Sequence, residues 1–169
     1  MTFEIKNAGP VDYPELLRLN ESCVPNVNSI DETEIAFFNQ SARQFIKVVE
    51  GDLLAGFVIA LAPGLAYESL NYQWFDRELD NFLYIDRIMV HPSFRQRGVA
   101  TFLYEHLALV AIRDNLARLC CEVNLVPPNP HSLALHHGLG FVEQAIQKTE
   151  AGSKEVSLMV KELSQEGGR

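Results

Sequence analysis

The chain has 169 residues, enough for one compact domain and too few for two of ordinary size, so we read residues 1–169 as a single domain. Hydrophobic residues make up 47% and charged residues 21%, a balance that excludes wholesale disorder. With 14 basic and 22 acidic side chains the formal charge is −8, and neither nucleic acid nor an anionic membrane is expected as a partner.

The opening residues, MTFEIKNAGP, lack the basic start and apolar stretch of a secretory signal. Residues 3–6 alternate in polarity as a strand does, and Gly9-Pro10 breaks the run. Residues 11–20 space their apolar side chains for a helix, with Asp12 as its cap. Ser29 and Glu32 fit a capping box for a second helix carrying Ile35, Ala36, Phe37 and Phe38. The period then changes. Residues 44–50 and 53–62 read as strands joined by a hairpin turn at Gly51-Asp52. Residues 63–81 form an aromatic-rich connection with weak periodicity. Residues 82–90 are nearly apolar throughout, as a strand buried on both faces should be, and His91-Pro92 ends them.

Residues 99–115 give the best helix, with Val99, Leu103, Leu107, Val110 and Ala111 along one side. Residues 119–125 read as another strand, closed by Pro127-Pro128. Asn129 caps a short helix with Pro130 at its first position and Gly140 beyond its end. Residues 141–149 and 155–160 form a final hairpin across Ala151-Gly152. The order is mixed α and β, with a central strand–loop–helix–strand unit that crosses over right-handed if its strands are parallel neighbours. No apolar run approaches the roughly 20 residues that span a bilayer. Cys23, Cys120 and Cys121 show no C-x-x-C spacing, and adjacent strand cysteines point to opposite faces, which disfavours a bridge. A reduced, cytoplasmic compartment is the simplest reading. No metal is expected.

The centre of the chain reads Val90-His91-Pro92-Ser93-Phe94-Arg95-Gln96-Arg97-Gly98-Val99-Ala100. A buried strand ends, a polar loop turns, and a helix begins at glycine. Amides at a helix start lack intrahelical partners and can cradle a pyrophosphate. Gly98 and Ala100 would let a bulky ligand approach the backbone, while Arg95 and Arg97 supply positive charge. An ordinary strand-to-helix turn with solvated arginines fits the spacing equally well. There is no G-x-x-x-x-G-K-[ST], and Gly138-Leu139-Gly140 lacks the third glycine of a dinucleotide motif.

The arginine-x-x-glycine-x-alanine pattern of Arg95, Gly98 and Ala100, after a V-x-P strand end, resembles the acetyl-CoA signature of the GNAT superfamily of N-acetyltransferases. Downstream, the stretch from Asn129 to Gly140-Phe141 is similar to the family's short helix ending in x-x-x-G-F. The resemblance implies a mixed, mostly antiparallel, twisted sheet flanked by helices, with two splayed parallel central strands that admit the pantetheine arm. It implies that Ile88, Met89 and Val90 offer backbone hydrogen bonds to pantetheine. Arg95, Gln96, Arg97, Gly98, Val99 and Ala100 would surround the pyrophosphate, and Asn129 would approach the cofactor arm. Family members often dimerise through sheet edges or C-terminal strands, so a homodimer is the assembly the resemblance implies.

The implied reaction is attack of a neutral primary amine, on a small molecule or peptide, on the thioester of acetyl-CoA within a ternary complex. A base must accept the amine's proton, and the thiolate benefits from a donor. The family's usual tyrosine donor is replaced here by His136, which could serve the same step or simply pack the helix. For the base we expect Asp86, which interrupts an apolar strand on the face of Ile88 and Val90, upstream of the thioester. A structural ion pair is the alternative; Arg87 itself should point to the opposite face. Glu122 is the second candidate, and Glu78 and Asp80 come third. Tyr67, Tyr72 and Trp74, with Phe75, offer an aromatic wall for the acceptor, and residues 25–28 could line the same opening. Cys120 and Cys121 sit in an apolar strand and read as core. The rival function is a non-catalytic module that binds or senses acyl-CoA.

Overall fold

The computed structural model describes residues 2–164. Among them lie seven strands and five helices: β1 (Glu4–Asn7), α1 (Tyr13–Ser22), α2 (Glu32–Ser41), β2 (Gln44–Glu50), β3 (Leu53–Leu61), α3 (Leu70–Glu78), β4 (Phe82–Val90), α4 (Val99–Arg113), β5 (Arg118–Val126), α5 (Pro130–Gly138), β6 (Val142–Thr149) and β7 (Lys154–Glu162). The strands follow the order β1-β2-β3-β4-β5-β7-β6. Only β4 and β5 pair in parallel, and their ladder is short, running from Phe82↔Arg118 to Tyr84↔Cys120 in strands of nine residues each. This is the mixed, mostly antiparallel sheet that the resemblance implies.

The chain divides into two compact units. One runs through Leu61 and adds Ile85–Glu105; the other holds Ala62–Tyr84 and the residues from His106 on. In the first, α1 buries Leu16 and Leu19, α2 buries Ile35 and Phe38, and β2 and β3 bury Val48, Phe57 and Ile59. The β2–β3 ladder shifts register between Val48 and Val49. In the second, Tyr72, Phe75, Phe82, Tyr84, Leu107, Leu119 and Phe141 are buried.

Two expectations are corrected here. The capping box of α2 is Asp31 with Glu34, not Ser29 with Glu32: Glu34 N–H donates to Asp31 Oδ1 and Asp31 N–H to Glu34 Oε2, both at 2.9 Å. Ser29 Oγ instead donates to Glu21 Oε2 at 2.6 Å. Residues 63–81 hold a full helix, α3, because Ser69 Oγ accepts from Tyr72 N–H at 3.2 Å and caps it. Tyr72 and Phe75, three apart on one face, bury against Phe82 and Tyr84. Asp12 does stand at the N-cap of α1, but its carboxylate accepts from Gly9 N–H at 3.0 Å and from Lys47 Nζ at 2.5 Å.

Candidate functional site

In the first unit the C-terminal end of β4 is fixed against β3. His91 N–H donates to the Ala55 carbonyl at 2.8 Å. A Cβ on Gly56 would stand 2.4 Å from the Met89 carbonyl oxygen, so this close approach of backbones requires glycine. Ile88 and Val90 are half-buried and Met89 is buried. The chain then makes one tight turn over Pro92–Phe94, in which Ser93 N–H donates to His91 Nδ1 at 3.2 Å and Phe94 buries its ring.

Residues 95–98 are exposed. Gln96 (φ 59°) and Gly98 (φ 81°) are both left-handed, and nothing lies within 4 Å of where a Gly98 side chain would start. Phe102 N–H donates to the Gly98 carbonyl at 2.9 Å, so α4 begins directly at this glycine. The amides of its first turn have no intrahelical acceptor. An exposed arginine (Arg95), open space at Gly98 and a helix start together supply what a pyrophosphate needs. Arg97 is differently engaged: Nη2 donates to Glu50 Oε1 at 2.7 Å, Nη1 to Oε2 at 3.3 Å, and its guanidinium lies 5.0 Å from the Phe94 ring centroid and 5.3 Å from that of Phe3.

Further back on β4, the Asp86 side chain is 4% exposed and that of Arg87 6%. Arg87 does not simply point away. Its Nε reaches back to Asp86 Oδ2 at 2.8 Å, while Nη1 donates to Asn20 Oδ1 at 2.8 Å and to the Asn28 carbonyl at 3.1 Å. Phe38 lies under the guanidinium, its centroid 5.3 Å away. Asn20 Nδ2 also donates to the Asn28 carbonyl, at 3.0 Å. The candidate base thus belongs to a buried polar network that reaches residue 28 of the connection between α1 and α2.

In the second unit, Glu122 Oε2 accepts from the Tyr84 hydroxyl at 2.7 Å. Asn129 Oδ1 accepts from Ser132 N–H at 3.4 Å, so Asn129 caps α5 as expected. His136 is 3% exposed. Its Nδ1 lies 2.6 Å from the Ser132 carbonyl, an oxygen that only accepts, so Nδ1 carries the proton. Phe141 packs edge-on against the imidazole at 5.2 Å. Burial pushes the His136 pKa below its ordinary value, the bond to Ser132 offsets part of that, and neighbouring His137 adds to it. The side chain is a neutral imidazole held in one tautomer near pH 7.

The aromatic residues separate by burial. Tyr72 is 0% exposed, its hydroxyl donates to the Ala62 carbonyl at 2.7 Å and accepts from Leu65 N–H at 2.9 Å, and burial raises its pKa. It is a core residue. Tyr67 and Trp74 are half-buried, stacked edge-on against Tyr72 at 5.6 Å and Phe75 at 5.2 Å. Cys120 and Cys121 are buried, and burial raises the Cys120 thiol well above the usual range. Among the described residues, no group of three or more His, Cys, Asp or Glu could hold a metal ion. No helix there is long and apolar enough to cross a membrane.

The profile of the Acetyltransferase (GNAT) family matches residues 13–141, a stretch holding both the 95–100 loop and Gly140-Phe141. The chain belongs to this family. It is an acyltransferase that uses acetyl-CoA as its donor. The acetyltransferase is 23% identical over 140 residues to the thialysine N-epsilon-acetyltransferase of Caenorhabditis elegans, covering 83% of each chain. Its fold is similar to the crystal structure of Ard1 from Thermoplasma volcanium, with a TM-score of 0.80 at 15% identity over 98% of this chain and 100% of that one. It is also similar to yncA from Salmonella typhimurium, a putative acetyltransferase solved with its cofactor acetyl-CoA, with a TM-score of 0.71 at 15% identity over 100% and 98% of the two chains.

Two contacts of the candidate residues were not legible in the sequence. Glu50 closes β2 and is buried beneath Arg97; a carboxylate ending an apolar strand was its only signal. Strand alternation sends Arg87 to the far face, but it fixes where a Cβ starts and not where a long side chain ends, and Nε returns to Asp86.

Proposed function

We propose that this acetyltransferase transfers the acetyl group of acetyl-CoA to a primary amine of a small molecule or peptide, by direct attack within a ternary complex. The observation that carries the reading is the strand end, left-handed loop and helix start at residues 90–100, with Gly98 open and Arg95 exposed. In this reading the backbone of Ile88, Met89 and Val90 hydrogen-bonds the pantetheine arm. The amides from Gln96 to Ala100, with Arg95, hold the pyrophosphate. Asn129 contributes from the start of α5. Acetyl-CoA supplies the activated thioester; the chain supplies binding, orientation and a proton acceptor.

Asp86 remains the first candidate for that acceptor, because Arg87 Nε fixes the orientation of its carboxylate. Glu122, fixed by the Tyr84 hydroxyl, is the second. For His136 the geometry favours packing of α5, since its burial opposes the imidazolium and its Nδ1 proton is already given to Ser132. The departing thiolate then takes its proton from solvent. Tyr67 and Trp74 are the aromatic candidates for the acceptor side, with Tyr72 as the wall behind Tyr67.

The test is release of free thiol from acetyl-CoA with a panel of primary amines that includes thialysine and peptides with free N-termini. Turnover with at least one amine, absent in Gly98→Glu, is expected. Acetyl-CoA binding without thiol release from any amine would favour the rival reading, a module that binds or senses acyl-CoA.

A further inference from the structure

Arg95 and Arg97 both lie in the exposed left-handed loop, and Arg97 is the one held by a carboxylate and two rings. The Arg97 side chain is 42% exposed, yet Nη2 and Nη1 sit on the two oxygens of Glu50, at 2.7 and 3.3 Å, and its guanidinium carbon lies 5.0 Å from the Phe94 ring centroid and 5.3 Å from that of Phe3. A guanidinium held by a bidentate carboxylate and two neighbouring rings has a fixed position, so it fastens the segment that carries it. The groups it joins come from separate parts of the first unit. Glu50 is the last residue of β2, Phe3 precedes β1, and Phe94 ends the turn that leads into the loop. Phe3 also packs against Phe102 of α4, ring centroids 6.2 Å apart. Glu50 is buried, and the guanidinium holds its carboxyl below the usual carboxylate range. The left-handed residues Gln96 and Gly98 stand on either side of Arg97.

We propose that Arg97 is a positioning residue: fastened to Glu50, Phe94 and Phe3, it sets the shape of the 95–100 loop, while Arg95 and the loop amides contact the donor's pyrophosphate. The inference rests on the assignment of that loop to acetyl-CoA. It predicts something a direct ligand role does not. Glu50 carries negative charge near the anion, so deleting it would tighten binding if Arg97 were a ligand, by freeing the guanidinium and removing repulsion. If Arg97 fastens the loop, deleting Glu50 loosens the loop and weakens binding.

A double-mutant cycle on the full chain decides between them. Glu50→Gln and Arg97→Ala are each expected to weaken acetyl-CoA binding about tenfold, within the range for directly coupled residues, and the double variant to be no weaker than either single one. In the ligand-free protein, amide hydrogen exchange at residues 95–100 is expected to quicken in both variants and to stay at the wild-type rate in Arg95→Ala, which loses affinity alone. Arg97→Lys keeps the charge but not the fork, and it should behave like Arg97→Ala. Unchanged or tighter binding in Glu50→Gln, near-normal binding in Arg97→Lys, or unchanged exchange in the loop would each overturn the proposal. Wild-type protein that does not bind acetyl-CoA would instead overturn the assignment of the loop. Exchange in the ligand-free variants would still report whether Arg97 fastens it, so the two failures are distinguishable.

Discussion

Arg87→Ala tests how far the interior of the first unit depends on one guanidinium. The substitution withdraws a donor from three acceptors, Asp86 Oδ2, Asn20 Oδ1 and the Asn28 carbonyl, at 2.8, 2.8 and 3.1 Å. It also leaves a carboxylate whose side chain is 4% exposed without its Arg87 partner. Breaking a buried pair from one side costs roughly 3–5 kcal/mol, because one charge stays behind in a poorly solvated place. At this chain length each kcal/mol moves Tm by about 2–4 °C, so a fall of roughly 6–20 °C is expected. The assay is thermal unfolding followed by circular dichroism, with urea unfolding at 25 °C as a check. Asp86→Asn/Arg87→Met, which removes both charges while keeping volume, should recover much of the loss. A loss below about 1 kcal/mol in Arg87→Ala, the level of a solvated surface pair, would mean that this guanidinium does not hold the interior together.

Three other outcomes follow from single positions. Gly56→Ala places a Cβ 2.4 Å from the Met89 carbonyl oxygen, and should cost about 1–3 kcal/mol in unfolding free energy and weaken acetyl-CoA binding through displacement of β4; a calorimetric titration beside a melt reads both. Gly98→Glu meets open space but a φ of 81°, so it should unfold cooperatively, lose about 1–2 kcal/mol to the left-handed backbone, and bind no acetyl-CoA. Unchanged affinity there would sink the loop assignment. For His136 the folded pKa lies below the ordinary value of 6.5, so the unfolded chain takes up its proton first as pH falls. Its contribution therefore lowers stability as pH drops through 6.5 and vanishes above it. His136→Gln should flatten the urea midpoint between pH 7 and 5.5; an unaltered slope would contradict a buried neutral imidazole.

Periodicity was sufficient for the strands and for α4, because Val99, Leu103, Leu107, Val110 and Ala111 face one way and are all buried. The turn from a strand end into a helix at residues 91–99 was equally plain, since proline, glycine and a strand end are local signals. What stayed hidden is long-range. The helix α3 was masked because its buried face is two aromatics, Tyr72 and Phe75, among polar neighbours, with only Ser69 to announce it. The partner of Arg97 lies 47 residues away at Glu50, and those of Arg87 include Asn20, 67 residues away. No spacing rule links such pairs; only the tertiary fold brings them together. For the same reason the sequence could rank Asp86, Glu122 and His136 by type but not by the partners that hold them.

The measurement that bears most directly on the account is a calorimetric titration of the purified protein with acetyl-CoA, with adenosine diphosphate as the control. Micromolar affinity, about −8 kcal/mol, is expected for acetyl-CoA, with much weaker binding of the control, because the pantetheine arm adds contacts that the diphosphate alone cannot make. Equal affinity for the two ligands would contradict the pantetheine assignment to Ile88–Val90, and no binding of either would contradict the donor site itself.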